Sequence, residues 1–66
     1  MNTTIVLNVI EQWCKKYHAP ISLDDIAIVL AKRLNQSIDY GDLRDLLDIL
    51  IAVNQINEPT TGMFQI

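Results

Sequence analysis

Apolar residues recur at intervals of three and four in three successive stretches of the chain, and this spacing constrains the fold more than any other feature. It is typical of amphipathic helices that bury one stripe and expose the opposite face. We therefore expect helices over about residues 4–17, 23–34 and 40–53. Pro20 ends the first helix, because a proline disfavours the helical conformation of the residue before it.

Each expected helix is preceded by a residue that can cap its amino end. Thr3 or Thr4 starts the first helix, Ser22 the second and Asp39 the third. The side-chain oxygen of such a residue accepts a hydrogen bond from an unpaired N–H of the first turn, which is worth about 1 kcal/mol. Asp25 stands three positions after Ser22 and is expected to form a capping-box-like pair with it.

The periodicity changes after the third helix, where two short extended runs flank a loop of about five residues that contains proline and glycine. This pattern predicts a β-hairpin over about residues 55–66. Ile56 would pair with Phe64 or Ile66 on its inner face. The element order is helix, short strand, helix, helix and hairpin. We therefore expect one compact, mostly α domain over residues 1–66, with three helices and a small β-hairpin.

The chain has one cysteine and one histidine, too few for an internal disulfide or a four-ligand zinc site. We expect Cys14 to be a small buried side chain, His18 to lie at the end of the first helix, and Trp13 and Tyr17 to pack in the core. Nucleophilic catalysis needs a nucleophile, a base and an orienting group, and neither that set nor a phosphate-binding glycine loop occurs. We expect no enzymatic activity, no cofactor and no metal.

The formal net charge is −3, and half of the residues are hydrophobic. Nucleic-acid-binding domains usually carry a basic stripe, so this charge disfavours nucleic acid as a partner. A small domain with surplus apolar side chains often covers the excess with a partner. The amino-terminal stretch has no basic lead, and Asn8 and Glu11 interrupt its apolar run, which predicts a cytoplasmic protein without a signal peptide or membrane span.

The stretch ISLDDIAIVLAKRLNQSIDYGDLRDLLDILIAVNQINEPTTGMFQI resembles the second half of a winged-helix domain. In that superfamily a Ser- or Thr-capped helix precedes a turn and a Leu-rich helix. A polar residue or two and an Ile that opens the wing follow, and LLDILIAVNQI is similar to that ending. In members that bind DNA, the third helix enters the major groove and the wing touches the backbone. The resemblance gives these places to Asp39, Tyr40, Gly41, Asp42, Arg44 and Asp45 on the third helix, and to Thr60, Thr61 and Met63 in the wing.

Three carboxylates and one arginine would then face phosphates, and the wing carries no Lys or Arg. Each carboxylate opposes the phosphate contacts that supply most non-specific affinity for DNA. This composition favours a small non-enzymatic winged-helix protein that binds another protein as an adaptor, inhibitor or co-regulator. The alternative is a DNA-binding transcriptional regulator that acts as a homodimer.

Two sets of side chains are expected to form the contact surface for a protein partner or a second copy of the chain. The first is the acidic front of the third helix, and the second is a surplus of apolar side chains. The predicted contact residues are Asp39, Tyr40, Asp42, Arg44 and Asp45 in the first set, and Ile28, Ile49 and Val53, joined by Met63, in the second.

Two basic pairs, Lys15–Lys16 and Lys32–Arg33, end the first and second helices. Cations at helix carboxyl ends complement the helix dipole, which accounts for both pairs without a ligand. Alternatively, the four side chains form one basic patch away from the third helix, and such a patch would suit an acidic protein partner.

A second resemblance concerns Ser22. The stretch SLDDIAIVLAKRL is similar to acyl carrier proteins, in which the serine of a Ser-Leu-Asp motif holds phosphopantetheine. That resemblance implies a carrier protein modified at Ser22. Ile21 stands where carriers have an aspartate, and Lys32 and Arg33 close the helix where carriers are acidic. These departures favour Ser22 as a helix cap.

Overall fold

A computed structural model describes residues 1–66 and contains three helices and a small three-stranded antiparallel sheet. This confirms the expected mostly α fold class, and the arrangement is compatible with a winged-helix-like domain. In chain order the elements are α1 (Thr3–Tyr17), β1 (Ile21–Ser22), α2 (Leu23–Leu34), α3 (Tyr40–Ala52), β2 (Asn57–Thr60) and β3 (Met63–Gln65).

The helix ends follow the capping signals, with one difference. Ser22 and Asp39 cap α2 and α3, but α1 begins one residue earlier than expected and Asn2 caps it instead of Thr3 or Thr4. The Asn2 Oδ1 accepts a hydrogen bond from the Ile5 N–H at 3.0 Å. Asn is at least as good a cap as Thr, so the earlier start leaves both threonines inside the helix.

The sheet has the strand order β1-β3-β2, so β3 is the middle strand. Ile21 pairs with Phe64 across β1 and β3, which joins the expected short strand to the hairpin. The hairpin turn contains two residues, Thr61 and Gly62, and not the expected five, because Thr60 already pairs with Met63. An irregularity between Asn57 and Thr60 shifts the register of β2 against β3, and such shifts increase strand twist.

All buried side chains are apolar and form one cluster between the three helices and the sheet. Each helix contributes three of them and the sheet region the rest. The core residues are Val6, Val9, Ile10, Ile21, Ile26, Ala27, Leu30, Leu43, Leu47, Leu50, Ile56 and Phe64. The burial of Ile56 and Phe64 agrees with their expected place on the inner face of the hairpin. None of the helices has the length and apolar character that a bilayer crossing requires.

The aromatic side chains of α1 lie at the edge of the core. Trp13 is half-buried and donates a hydrogen bond from its indole N–H to the Pro20 carbonyl at 3.2 Å. Tyr17 is 51% exposed, so the expectation that it packs in the core is wrong. Tyr17 is the last residue of α1, and the chain turns away at His18 in a left-handed conformation, which leaves its ring only partly covered. Cys14 is half-buried and unpaired.

Candidate partner-binding surfaces

The front of α3 carries aspartates that no cation neutralises. Asp39 caps the helix by accepting a hydrogen bond from the Asp42 N–H at 3.0 Å. Asp39, Asp42 and Asp45 line an open groove of about 430 Å³, together with apolar atoms of Ile38 and Leu46. Both ion pairs of the structure involve Arg44, and neither reaches these three carboxylates. The groove lining therefore combines three carboxylates with the apolar side chains of Met1, Ile38 and Leu46.

Tyr40 lies on the opposite side of the same helix end. Its hydroxyl donates a hydrogen bond to the Asp24 carboxylate at 2.9 Å, which connects the start of α3 to the start of α2. The same hydrogen bond is the main cause that raises the pKa of Tyr40 above its usual range, because loss of the phenolic proton would leave two anions in contact. Tyr40 is nearly half exposed and remains accessible to a partner.

Arg44 is the one cation of α3, and the hairpin holds its guanidinium. Its two terminal nitrogens donate to both carboxylate oxygens of Glu58 at 2.9 and 2.8 Å. The Arg44 Nε lies 3.1 Å from a carboxylate oxygen of Asp48 one turn along the helix. The guanidinium also lies 5.5 Å from the centre of the Phe64 ring. The Arg44 guanidinium therefore makes its polar contacts within the fold and is not available to bind a partner.

Glu58 links Arg44 to the turn of the hairpin. Its Oε2 also accepts a hydrogen bond from the Gly62 N–H at 2.7 Å. The hydrogen bonds from Arg44, followed by the one from Gly62, lower the pKa of Glu58 from 4.5 to about 2. A carboxylate that accepts several hydrogen bonds is stabilised in its charged form, so Glu58 is ionised at neutral pH. We call Arg44, Glu58 and Gly62 the wing clamp.

The hairpin turn is fixed to α2 as well as to α3. The Gly62 carbonyl accepts a hydrogen bond from the Leu23 N–H at 2.9 Å. Gly62 has a φ of 81°, a conformation that glycine adopts without steric penalty. Thr60 and Thr61 are exposed, whereas Met63 is half-buried in the middle strand. The two threonines thus stand at the surface of a short hairpin that lies against the helices.

The predicted apolar contact residues occupy two separate surfaces. Ile28, Ile49 and Val53 are each more than half exposed. Ile28 lies beside Tyr40 in a shallow depression between α2 and α3. Tyr40 and Ile49 are nine residues apart, which places them on opposite sides of an α-helix. Ile49 and Val53 instead follow Asp42 along the other flank, so the structure does not bring Ile28 together with them.

The four basic residues also divide into two sets. Lys16 and Arg33 line one groove between α1 and α2, whereas Lys15 and Lys32 are exposed and do not line it. Arg33 donates hydrogen bonds to the Asn8 Oδ1 at 2.9 Å and the Gln12 Oε1 at 3.1 Å. Both of these partners are neutral. Of the four residues in the alternative basic patch, only Lys16 and Arg33 share a groove.

Ser22 occupies the position of a helix cap. Its Oγ accepts a hydrogen bond from the Asp25 N–H at 3.1 Å, as the capping pattern predicts. The reciprocal contact of a full capping box, from the Ser22 N–H to the Asp25 carboxylate, is absent. Asp is one methylene shorter than the Glu that usually makes this contact. The hydroxyl of Ser22 therefore has a structural partner within its own helix.

The sequence patterns missed two features of these surfaces. The wing clamp joins residues fourteen positions apart, a separation that no helical or strand period reveals. A signal does exist in composition, because Glu58 is the only charged residue after Asp48. A lone charge in an otherwise neutral hairpin indicates a partner elsewhere in the fold. The second feature is the groove between α1 and α2, where Trp13 and Tyr17 meet Lys16 and Arg33.

His, Cys, Asp and Glu side chains form no group of three that could hold a metal ion. The chain matches no family model, no curated protein and no solved structure.

Proposed function

We propose that the chain is a winged-helix protein that acts without catalysis, by binding another protein through the flank of α3. The element order and the strand order β1-β3-β2 support membership of the winged-helix superfamily. The observation that carries the functional proposal is electrostatic. Asp39, Asp42 and Asp45 stand unneutralised at the front of α3, whereas Arg44 is neutralised by Glu58 and Asp48.

This arrangement opposes the alternative of a DNA-binding regulator. In DNA-binding winged-helix proteins the third helix lies among phosphates, where affinity depends on Lys and Arg contacts. The corresponding surface here presents carboxylates, and residues 53–66 contain no Lys or Arg. Hydrogen bonds from Arg44 to Glu58 and from the Leu23 N–H to the Gly62 carbonyl hold the hairpin against α3 and α2. The exposed residues at its tip, Thr60 and Thr61, carry no positive charge that would pair with a DNA backbone.

The same flank suits a protein partner with complementary properties. Asp42 and Ile49 lie seven residues apart on α3, and Val53, which caps the end of the helix, follows four residues later, so the three form one exposed stripe. The stripe is acidic at the start of the helix and apolar at its end. A partner that offers apolar side chains next to Lys or Arg would bury Ile49 and Val53 and neutralise Asp42 and Asp45.

The test is recovery of a partner with the tagged chain from its cell of origin. Ile49→Asp and the double variant Asp42→Asn, Asp45→Asn should each lose a partner that the wild-type chain retains. Ile28→Asp is the matched control, because it adds the same charge to the other apolar surface. Equal recovery with Ile49→Asp and with Ile28→Asp would contradict the assignment of the α3 flank as the binding surface.

Homodimer formation is a related proposal for the same flank. An apolar interface of ordinary size should bind more tightly than about 100 μM. Sedimentation should then show a dimer at that concentration, and Ile49→Asp or Val53→Asp should restore the monomer. A wild-type chain that sediments as a monomer at about 100 μM would exclude this interface.

Binding to generic duplex DNA should be weaker than about 10⁻⁵ M at physiological salt. The reason is the carboxylate surface at Asp39, Asp42 and Asp45. A gel-shift titration measures this affinity directly. Nanomolar binding to a particular duplex would instead support the transcriptional regulator, and Lys32, Arg33 and Arg44 would then be the first residues to substitute.

A further inference from the structure

A groove of about 280 Å³ runs between α1 and α2, away from the α3 surface. Val9 and Val29 supply its apolar lining, and Trp13 and Tyr17 stand along it. The Trp13 and Tyr17 ring centres are 4.4 Å apart with planes tilted by 49°. The Trp13 indole N–H is held by the Pro20 carbonyl, so the aromatic pair is fixed in position before any ligand arrives.

Two cations line this groove, and no carboxylate neutralises either of them. Arg33 is oriented by the neutral amide oxygens of Asn8 and Gln12. The Lys16 ammonium lies 5.2 Å from the centre of the Tyr17 ring, within the range of a cation–π contact. The ion pairs of the structure include neither residue. Their positive charge is therefore positioned by the protein but left without an anionic partner.

We propose that this groove binds an acidic peptide segment in which apolar side chains lie between carboxylates. The carboxylates would pair with Lys16 and Arg33, and the apolar side chains would cover Trp13 and Val29. Asn8 and Gln12 each accept one of the five N–H groups of the Arg33 guanidinium, which leaves three N–H groups for a carboxylate. The proposal is independent of the function proposed above, because none of these residues belongs to α3.

A nucleic-acid strand fits the same groove less well. Single strands bind through a track of phosphate contacts and through aromatic faces that are free to stack on bases. Only two cations line the groove, and the Tyr17 ring is already in contact with Trp13 and Lys16. The net charge of −3 adds repulsion toward a polyanion. A short peptide with a few carboxylates matches the number of cations available.

The experiment uses the fluorescence of Trp13, the single tryptophan of the chain. The protein is titrated with blocked hexapeptides of the form Asp-Glu-x-x-Glu-Asp, in which x is Leu, Ile, Phe or Met. A parallel panel carries Asn and Gln in place of the acids. We expect saturable changes in Trp13 emission with acidic peptides only, and weaker binding as the salt concentration rises.

Variants then locate the site. Lys16→Gln and Arg33→Gln should each weaken peptide binding roughly two- to fivefold, which is the range for a single partly exposed ion pair. Lys15→Gln and Lys32→Gln are matched controls, because each removes one positive charge from the same helix end outside the groove. These controls should change the affinity less than about twofold, since solvent and salt screen the more distant charge.

Several results would overturn the proposal. The first is the absence of binding by every acidic peptide of the panel at about 1 mM, a concentration that detects even weak complexes. If the peptides with Asn and Gln bind as tightly as the acidic peptides, Lys16 and Arg33 do not contribute to binding through their charge. Equal weakening by Lys32→Gln and Arg33→Gln would place the contact outside the groove. Tighter binding of an oligothymidylate than of the acidic peptides would assign the groove to single-stranded nucleic acid.

Discussion

Replacement of Glu58 by glutamine tests whether the wing clamp stabilises the fold through charge. The substitution preserves the size of the side chain and an oxygen that can accept from the Gly62 N–H, but it removes the negative charge opposite Arg44. We expect Glu58→Gln to lower the free energy of unfolding at pH 7, because a charge-assisted bidentate pair is stronger than the neutral hydrogen bonds that replace it.

The magnitude follows from the pKa of Glu58. A fall from 4.5 to about 2 corresponds to about 3.5 kcal/mol, at about 1.4 kcal/mol per pKa unit. The Arg44 side chain is 40% exposed and that of Glu58 is 16% exposed, so water screens part of this interaction. We therefore expect a loss of about 1–2 kcal/mol, which is a large share of the stability of so small a domain.

The lowered pKa of Glu58 also predicts how its contribution to the free energy of unfolding changes with pH. The pKa of Glu58 is lowered in the folded state, so its contribution is fully present above about 4.5 and is lost as the pH falls toward about 2. Urea unfolding followed by circular dichroism at several pH values measures this contribution. The wild-type chain and Glu58→Gln should differ most at neutral pH, and the difference should fade across that acidic window.

Asp48→Asn is the matched control, because it removes the other carboxylate that contacts Arg44. The Asp48 side chain is 56% exposed and makes an i,i+4 pair, a class worth about 0.3–0.5 kcal/mol. Asp48→Asn should therefore lower the free energy of unfolding less than Glu58→Gln does. A Glu58→Gln variant as stable as the wild-type chain at pH 7, or a difference that persists unchanged at pH 2, would refute the proposed role of the clamp.

Two further substitutions test local features. Ser22→Ala should cost about 1 kcal/mol because the Asp25 N–H loses its acceptor, whereas Ser22→Asp or Ser22→Gly should cost much less. If Ser22 instead carries phosphopantetheine, treatment with a phosphopantetheinyl transferase will increase the intact mass of the wild-type chain but not of Ser22→Ala. Gly62→Ala should cost about 1 kcal/mol in urea unfolding, because its φ of 81° is unfavourable for an L residue although no atom lies within 4 Å of the added Cβ. An unchanged unfolding midpoint for Gly62→Ala would mean that the turn adapts to a different conformation.

The helices were predictable because their signals are local. Apolar spacing placed Leu43, Leu47 and Leu50 on one buried stripe, and Ser22 and Asp39 marked the helix starts. Tyr17 shares the core-facing side of α1 but lies mostly exposed. Periodicity gives the direction in which a side chain points, but it cannot tell whether another element reaches that far along the helix.

The contacts between helices and strands were harder to predict from the sequence. A strand of two residues is too short to show the alternation that identifies a strand, so the pairing of Ile21 with Phe64 had no local signal. Helical spacing places Ile49 and Val53 on one face, but the distance of Ile28 from that face depends on how α2 and α3 pack. From the sequence, helix ends account for the charges of Lys16 and Arg33, and a basic patch is the alternative. Their common groove with Trp13 exists only once α1 and α2 lie side by side.

The position of β3 at the end of the chain bears on the order in which the domain assembles. The middle strand joins β1 to β2 and brings Phe64 into the core. Helices form from neighbours within about a microsecond, whereas pairing Ile21 with Phe64 must close a loop of more than forty residues. We expect the sheet to form late in folding, so that mutations at Phe64 accelerate unfolding more than they slow folding.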